Sequence, residues 1–228
     1  MRTLCFPTSS FFLHSSSLSS RPDPLLPPLP SRAPVMVLPG ATLFPHALLP
    51  LHIFEPRYRA MLQFALEEDR AFCIAMIRPG RDEWVTPDDF VHIAGLGLIR
   101  ACVARQDGTS NLVLQGLSRV RLSDFEDRDG FVLADIRSVE TTPATVEGQT
   151  TAGKVRLLCQ RFKEKGVELP QNFEDYLGQI VEPGALAVVV ANTFVAGSRE
   201  RQRLLEQPSE DKRLQLLVRY LQRELRNN

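Results

Sequence analysis

The run PVMVLPGATLFPHALLPLHIFEPRYRAMLQFALEEDRAF, residues 34–72, joins a proline-punctuated apolar stretch directly to an amphipathic helix pattern. Between residues 35 and 54 the apolar runs are cut by Pro39, Pro45 and Pro50. A proline gives no N–H to a sheet ladder, so these runs read as edge or lead-in strands with bends between them. Pro56 suits the first turn of a helix, where a missing amide hydrogen costs nothing. Tyr58, Met61, Leu62 and Ala65 then fall at i, i+3, i+4, i+7, with Arg57, Gln63, Glu67 and Glu68 on the wet side. That spacing predicts one helix lying on a sheet.

Working outward, AFCIAMI at 71–77 reads as a buried strand, and RPGRDEWVTPDD at 78–89 as an exposed loop that contains Trp84. The apolar run 91–104, the Asp107-Gly108 dipeptide and NLVLQGL at 111–117 together predict an antiparallel hairpin, because Asp-Gly accepts the positive φ of a tight turn. FVLADIRSVE at 131–140 adds a strand to a largely antiparallel sheet.

After Thr142 the period changes to helical. Val155, Leu158, Cys159 and Phe162 share a stripe that ends in Lys163, Lys165 and Gly166, a C-terminal stop. ALAVVVANTFVAG at 185–197 is open on its residues alone, since three consecutive valines favour a strand. In the last segment Leu214, Leu217, Val218, Leu221 and Leu225 line one face, Ser209 is the expected N-cap, and Glu210 and Asp211 occupy the first turn.

The expected class is therefore α+β: a mainly antiparallel β domain with one helix at 33–142, then a helical part at 143–228. Residues 1–32, rich in serine and proline, read as a disordered tail or a misplaced start. Pro7 and the serines interrupt any secretory core there, and Met36 stands near the start of the foldable body.

Composition removes several function classes. Twenty-seven basic and 27 acidic residues give zero net charge, so the global positive field that draws proteins onto nucleic acid is missing. No apolar run approaches the roughly 20 residues needed to span a bilayer, and no membrane partner is expected. Cys5, Cys73, Cys102 and Cys159 lie far apart without a CxxC pair, which reads as free thiols in a reducing, cytoplasmic setting with no metal site. GQTTAGKV at 148–155 meets a phosphate-loop spacing but places Val155 where a hydroxyl must bind magnesium, so it reads as a helix-initiating linker. No G-x-S-x-G elbow or H-E-x-x-H pair occurs, and the reading is of a protein that is not an enzyme and needs no cofactor.

LPGATLFPHALLPLHIFEPRYRAML at 38–62, NLVLQGLSRVRL at 111–122 and RQRLLEQPSEDKRLQLLVRYLQREL at 201–225, in that order, resemble the Lon N-terminal domain family. The resemblance covers roughly residues 34–226. It implies a PUA-like fold, a buried helix at 185–197, and a noncatalytic module that holds unfolded or exposed protein segments for an ATP-driven protease in protein quality control. The chain ends where the ATPase and Ser-Lys peptidase of a full protease would begin, so a stand-alone member is expected, an adaptor or client-holding protein. An RNA-binding module is the alternative, because PUA-like folds resemble RNA readers.

Candidate peptide-binding residues are Phe44 and Pro45, in an apolar bend that either faces a groove or fills the core, and Trp84, the sole tryptophan, set in a polar loop. His52, Glu55, Arg57 and Tyr58 are the polar members of the opening motif. The structural reading is preferred for these four, with Glu55 and Arg57 bonding each other at the helix start and Tyr58 on the buried stripe.

Overall fold

The computed structural model describes residues 29–169 and 172–227. Six strands form one sheet: β1 (Arg32–Leu38), β2 (Leu48–Ile53), β3 (Ala71–Met76), β4 (Ile93–Ala104), β5 (Ser110–Arg128) and β6 (Phe131–Ser138). Their order is β2-β5-β4-β3-β1-β6, and β6 pairs back onto β5, so five strands close on themselves and β2 is left outside the ring. Among the described strand pairs only β1 with β3 is parallel; the rest are antiparallel. Most of the tail expected at 1–32 lies outside the described residues. Arg32 does not: it opens β1 and ion-pairs with Glu126 at 2.8 Å and Asp135 at 2.9 Å.

Of the edge or lead-in strands expected from the opening run, β2 lies at an edge and β1 in the interior of the sheet. Pro39 falls just after β1 rather than inside it, so residues 35–38 keep their ladder groups and the strand sits between β3 and β6. Its alternation then divides two cores. Val35 and Val37 join Cys73, Ala75, Leu96, Val120 and Val132 inside the ring. Met36 joins Phe72, Ile74, Leu112 and Leu114 under helix α1 (Pro56–Glu67), whose buried residues are Tyr58, Met61, Leu62 and Ala65.

One long strand makes closure feasible. The first half of β5 pairs with β2 and β4, the second half with β6, and register shifts at residues 96–97, 99–101 and 123–126 bend it between the two. The hairpin turn is the expected one, with Gly108 at φ +79° and the Asp107 carboxylate accepting from the Thr109 amide at 2.9 Å.

The helical part contains α2 (Val146–Glu164), α3 (Phe173–Gln179), α4 (Pro183–Phe194), α5 (Ser198–Glu206) and α6 (Glu210–Asn227). The valine-rich run is the helix α4, which is buried on nearly every face between α2 and α6, so branched side chains are packed all round. α6 caps α2: Asp211 accepts from the Thr145 amide at 3.0 Å and hydroxyl at 2.8 Å, and Glu210 accepts from the Ala144 amide at 3.0 Å. These carboxylates also complement the positive end of the α2 dipole. Ser209 Oγ in turn accepts from the Lys212 amide at 3.4 Å, the expected N-cap.

Two devices join the helices to the ring. Residues 43–47 cross the sheet at Gly95 and Gly116, where a Cβ would stand 2.0 Å from the Leu43 and Phe44 carbonyl oxygens respectively. Backbone bonds from His46 to Gly116 (2.8 Å) and from Gly116 to Ala47 (2.9 Å) fix the crossing and deliver Phe44 into the helical core. Arg119, 6% exposed, donates to the Leu205 and Gln207 carbonyls at 2.9 Å each and to Thr141 Oγ1 at 2.6 Å. Burial and the neighbouring Arg213 charge lower the Arg119 pKa to about 10.

Candidate functional site

The polar opening motif assembles at the start of α1. Glu55 has extended backbone (φ −65°, ψ 135°) ahead of Pro56, and its carboxylate accepts from Arg57 Nε at 2.9 Å and Nη2 at 2.8 Å. The guanidinium so held lies 4.9 Å from the Tyr58 ring centroid and 5.3 Å from that of Trp84. Tyr58, 4% exposed, donates to the Val37 carbonyl at 2.7 Å and accepts from Trp84 Nε1 at 3.4 Å. Burial is the main influence on the Tyr58 phenol and raises its pKa. Glu55, Arg57 and Tyr58 thus lie in one bonded cluster at the start of α1.

Trp84 belongs to the same cluster, a neighbourhood the sequence did not reveal. Its loop is pinned by Asp89, whose carboxylate accepts from the Val85 amide at 2.8 Å and the Thr86 amide at 2.9 Å and pairs with Arg81 at 2.8 Å. Those backbone bonds, led by the Thr86 amide, hold the Asp89 pKa below its ordinary value. The indole is half-buried and meets Phe90 edge-on at 6.0 Å, and Phe90 meets Phe125 in the same way at 5.6 Å. The adjoining Val85 is exposed.

Phe44 and Pro45 stand elsewhere. At 1% exposure Phe44 fills the core it shares with Phe162, Val190 and Leu221, so its ring is closed to a peptide. Burial of this ring is the core-filling alternative of the sequence reading. Pro45 is half-buried in the following turn. His52 faces outward on β2, stacked on Phe54 at 5.8 Å and bonded to the Asn111 amide at 2.8 Å.

A groove of about 640 Å³ runs between α1 and the β4–β5 turn, bounded by Arg59, Ala60, Gln63, Leu66, Gly108 and Ser110. Among the described residues, no three His, Cys, Asp or Glu side chains come together as a metal-ligand set. Burial pushes the Cys73 thiol above its ordinary pKa and that of Cys159 up to about 12, so neither forms a thiolate nucleophile near neutrality. The phosphate-loop lookalike lies inside α2, its amides from Gln149 onward spent on helix bonds, with Gly148 packed against the Asp211 carboxylate. No helix of the described residues is long and apolar enough to cross a membrane.

A bent sheet closed into a ring, with a helix laid on its wall and a helical bundle appended, is the α+β fold of Lon N-terminal domains. The structure matches the N-terminal domain of Mycobacterium avium complex Lon protease with a TM-score of 0.69 at 17% identity, covering 84% of this chain and 98% of that one. The match to the Lon N-terminal domain protein from Xanthomonas campestris has a TM-score of 0.58 at 19% identity, covering 83% and 98%.

At the sequence level, the Lon protease of Dictyoglomus thermophilum is 30% identical over 202 residues, 86% of this chain and 25% of that protein. The Lon protease of Xanthomonas oryzae pv. oryzae is 27% identical over 187 residues, 81% and 22%. The chain thus spans about a quarter of the length of these relatives. The family described as the ATP-dependent protease La (LON) substrate-binding domain matches residues 32–223, and this chain belongs to it.

Proposed function

We propose that this chain is a noncatalytic protein-binding module that holds unfolded or exposed protein segments, acting as an adaptor or client-holding protein in proteolysis with a protease as its second partner. The observation that carries this reading is the outer edge of β2, which pairs with no strand among the described residues while the ring beside it is closed. An extended client segment gains backbone hydrogen bonds by adding to such an edge, and side-chain contacts then set a weak, sequence-tolerant preference. Membership in the substrate-binding family supports the same role.

The test is titration calorimetry of the full chain with a permanently unfolded protein and with the same protein folded, followed by crosslinking to map the contact. Binding of the unfolded form alone, with crosslinks at β2, is expected. Absence of any binding removes the proposal. Filter binding of RNA across a salt series addresses the alternative, because phosphate contacts make affinity fall steeply with salt.

A further inference from the structure

We propose that the outward face formed by β2, the first half of β5 and the second half of β4 is a docking platform for extended protein segments whose apolar residues are flanked by aspartate or glutamate. The assignment rests on the protein-binding reading above and specifies its surface and its client chemistry.

Register defines the face. Pro50, Val113 and Ala101 stand opposite one another across the three strands, as do His52, Asn111 and Val103. Directly opposed residues point to the same side of a sheet. The alternate rows, Leu49 with Leu114 and Ile99, and Leu51 with Leu112 and Cys102, pack into the core beneath α1. The first set is therefore the outer one. Pro50 and Ala101 are exposed, Val103 is 64% exposed, and Phe54, just beyond β2, is 57% exposed. This is a strip of apolar side chains beside the edge of β2, which is unpaired among the described residues.

Charge selects the occupant. Arg100, at the register shift in β4, donates to the outward Gln115 amide. Arg105 donates at 2.8 Å to the outward Asn111 side chain when that amide is oriented with its nitrogen on His52. Both guanidiniums are exposed and neither has a carboxylate within ion-pair distance among the described residues, whereas Arg32, Arg57, Arg81 and Arg223 all do. The nearby acid, Asp107, sits in the turn, where bonds from the Thr109 amide and hydroxyl are the main influences that lower its pKa and the Arg105 charge is a smaller one. An apolar strip beside Arg100 and beside Arg105, whose charge Asp107 offsets only in part, complements a segment that is apolar at its centre and acidic at its flanks. Two guanidiniums and a neutral chain do not make the basic track that RNA requires.

The test is fluorescence anisotropy on the full chain with two labelled peptides that share an alternating valine core and differ only in flanking glutamates or lysines. Reduced, carbamidomethylated α-lactalbumin serves as the unfolded protein, and a labelled oligouridylate as the nucleic-acid arm. The glutamate peptide should bind roughly five-fold tighter than the lysine peptide at low salt, the preference shrinking as salt screens it. Arg100→Glu combined with Arg105→Glu should invert the order. Val103→Asp, or Ala101→Asp as a second exposed-site variant, should weaken lactalbumin binding while leaving the urea midpoint in place. If lactalbumin binds wild type and variants alike with no peptide preference, the platform is wrong and the protein-binding reading stands. If no polypeptide binds at all, that reading fails and the platform with it. Tighter binding of the oligouridylate than of either peptide overturns the assignment in favour of RNA.

Discussion

Replacing Gly116 with alanine should destabilise the protein, while the same change at Gly153 should stabilise it. Neither glycine is in the left-handed region, so alanine fits the local backbone at both sites and the difference is one of space. At Gly116 the new methyl would lie 2.0 Å from the Phe44 carbonyl oxygen and 2.8 Å from its carbon, roughly 1.4 Å inside ordinary contact. That carbonyl cannot recede cheaply, because bonds at His46 and Ala47 hold the crossing and the Phe44 ring is locked among the helices. Overpacking of this kind costs about 1–3 kcal/mol, and partial withdrawal of a buried phenylalanine adds to it. The alanine recovers about 0.4–1 kcal/mol from the unfolded state, leaving a net loss of about 2 kcal/mol. Gly153 is inside α2 with nothing within 4 Å of the added methyl, so alanine should gain about 0.5–1 kcal/mol from helix propensity. Urea unfolding followed by circular dichroism and by Trp84 fluorescence should move the two midpoints in opposite directions at constant slope. A Gly116→Ala midpoint at or above that of wild type would show that the crossing is not the joint described here.

Tyr58→Phe removes the bond to Val37 and the acceptor for Trp84, and should cost about 1–2 kcal/mol in urea unfolding, with an altered emission from the lone tryptophan. Arg119→Met strands the Leu205 carbonyl and Thr141 hydroxyl, while relief of repulsion with Arg213 returns part of the loss. A net cost of about 2–3 kcal/mol should appear in calorimetry as a Tm lower by roughly 4–10 °C, and an unchanged Tm would count against this joint. Asp89 has a folded pKa below its ordinary 3.8, so the stability it provides is complete above that value and is lost as pH falls through the folded pKa. Asp89→Asn should therefore show a shallower acid limb than wild type in Tm measured from pH 5 to pH 2, and parallel curves would refute the assignment.

Local chemistry was readable in the sequence where a few adjacent residues decide the outcome. Pro56 with the stripe from Tyr58 to Ala65 set the bounds and buried face of α1, and Asp107-Gly108 set the β4–β5 turn. The run at 185–197 needed the family resemblance, because an all-buried helix and a buried strand look alike in a short apolar stretch. What stayed hidden depends on partners distant in the chain. The interior position of β1 follows from pairing with β3 and β6, and no pattern within residues 32–38 distinguishes that from an edge. Arg119 looked like one more charge in NLVLQGLSRVRL, yet its partners are carbonyls some 86 and 88 residues further on. Trp84, a candidate contact residue on sequence grounds, is half-buried beside Phe90 and Arg57, and Arg57 belongs to the start of α1 and not to the tryptophan's own loop.

The same distinction bears on where a client would sit. In β2, β4 and β5 the alternation of side chains shows that each strand has two unlike faces, but one of them is closed by a core that α1, which follows β2 directly, also enters. Leu49, Leu51, Leu112 and Leu114 belong to that core, and Pro50, Ala101, Val103 and Val113 are what remains outside. The inner set is leucine; the outer set has smaller side chains and is interleaved with Arg100, His52 and Asn111. A surface that remains solvated in the unbound protein and still accepts an apolar chain needs that mixture, since a wider leucine patch would favour self-association. The chain after Pro45 thus provides both a helix of the core on one side of the sheet and the strand whose outer edge is unpaired among the described residues.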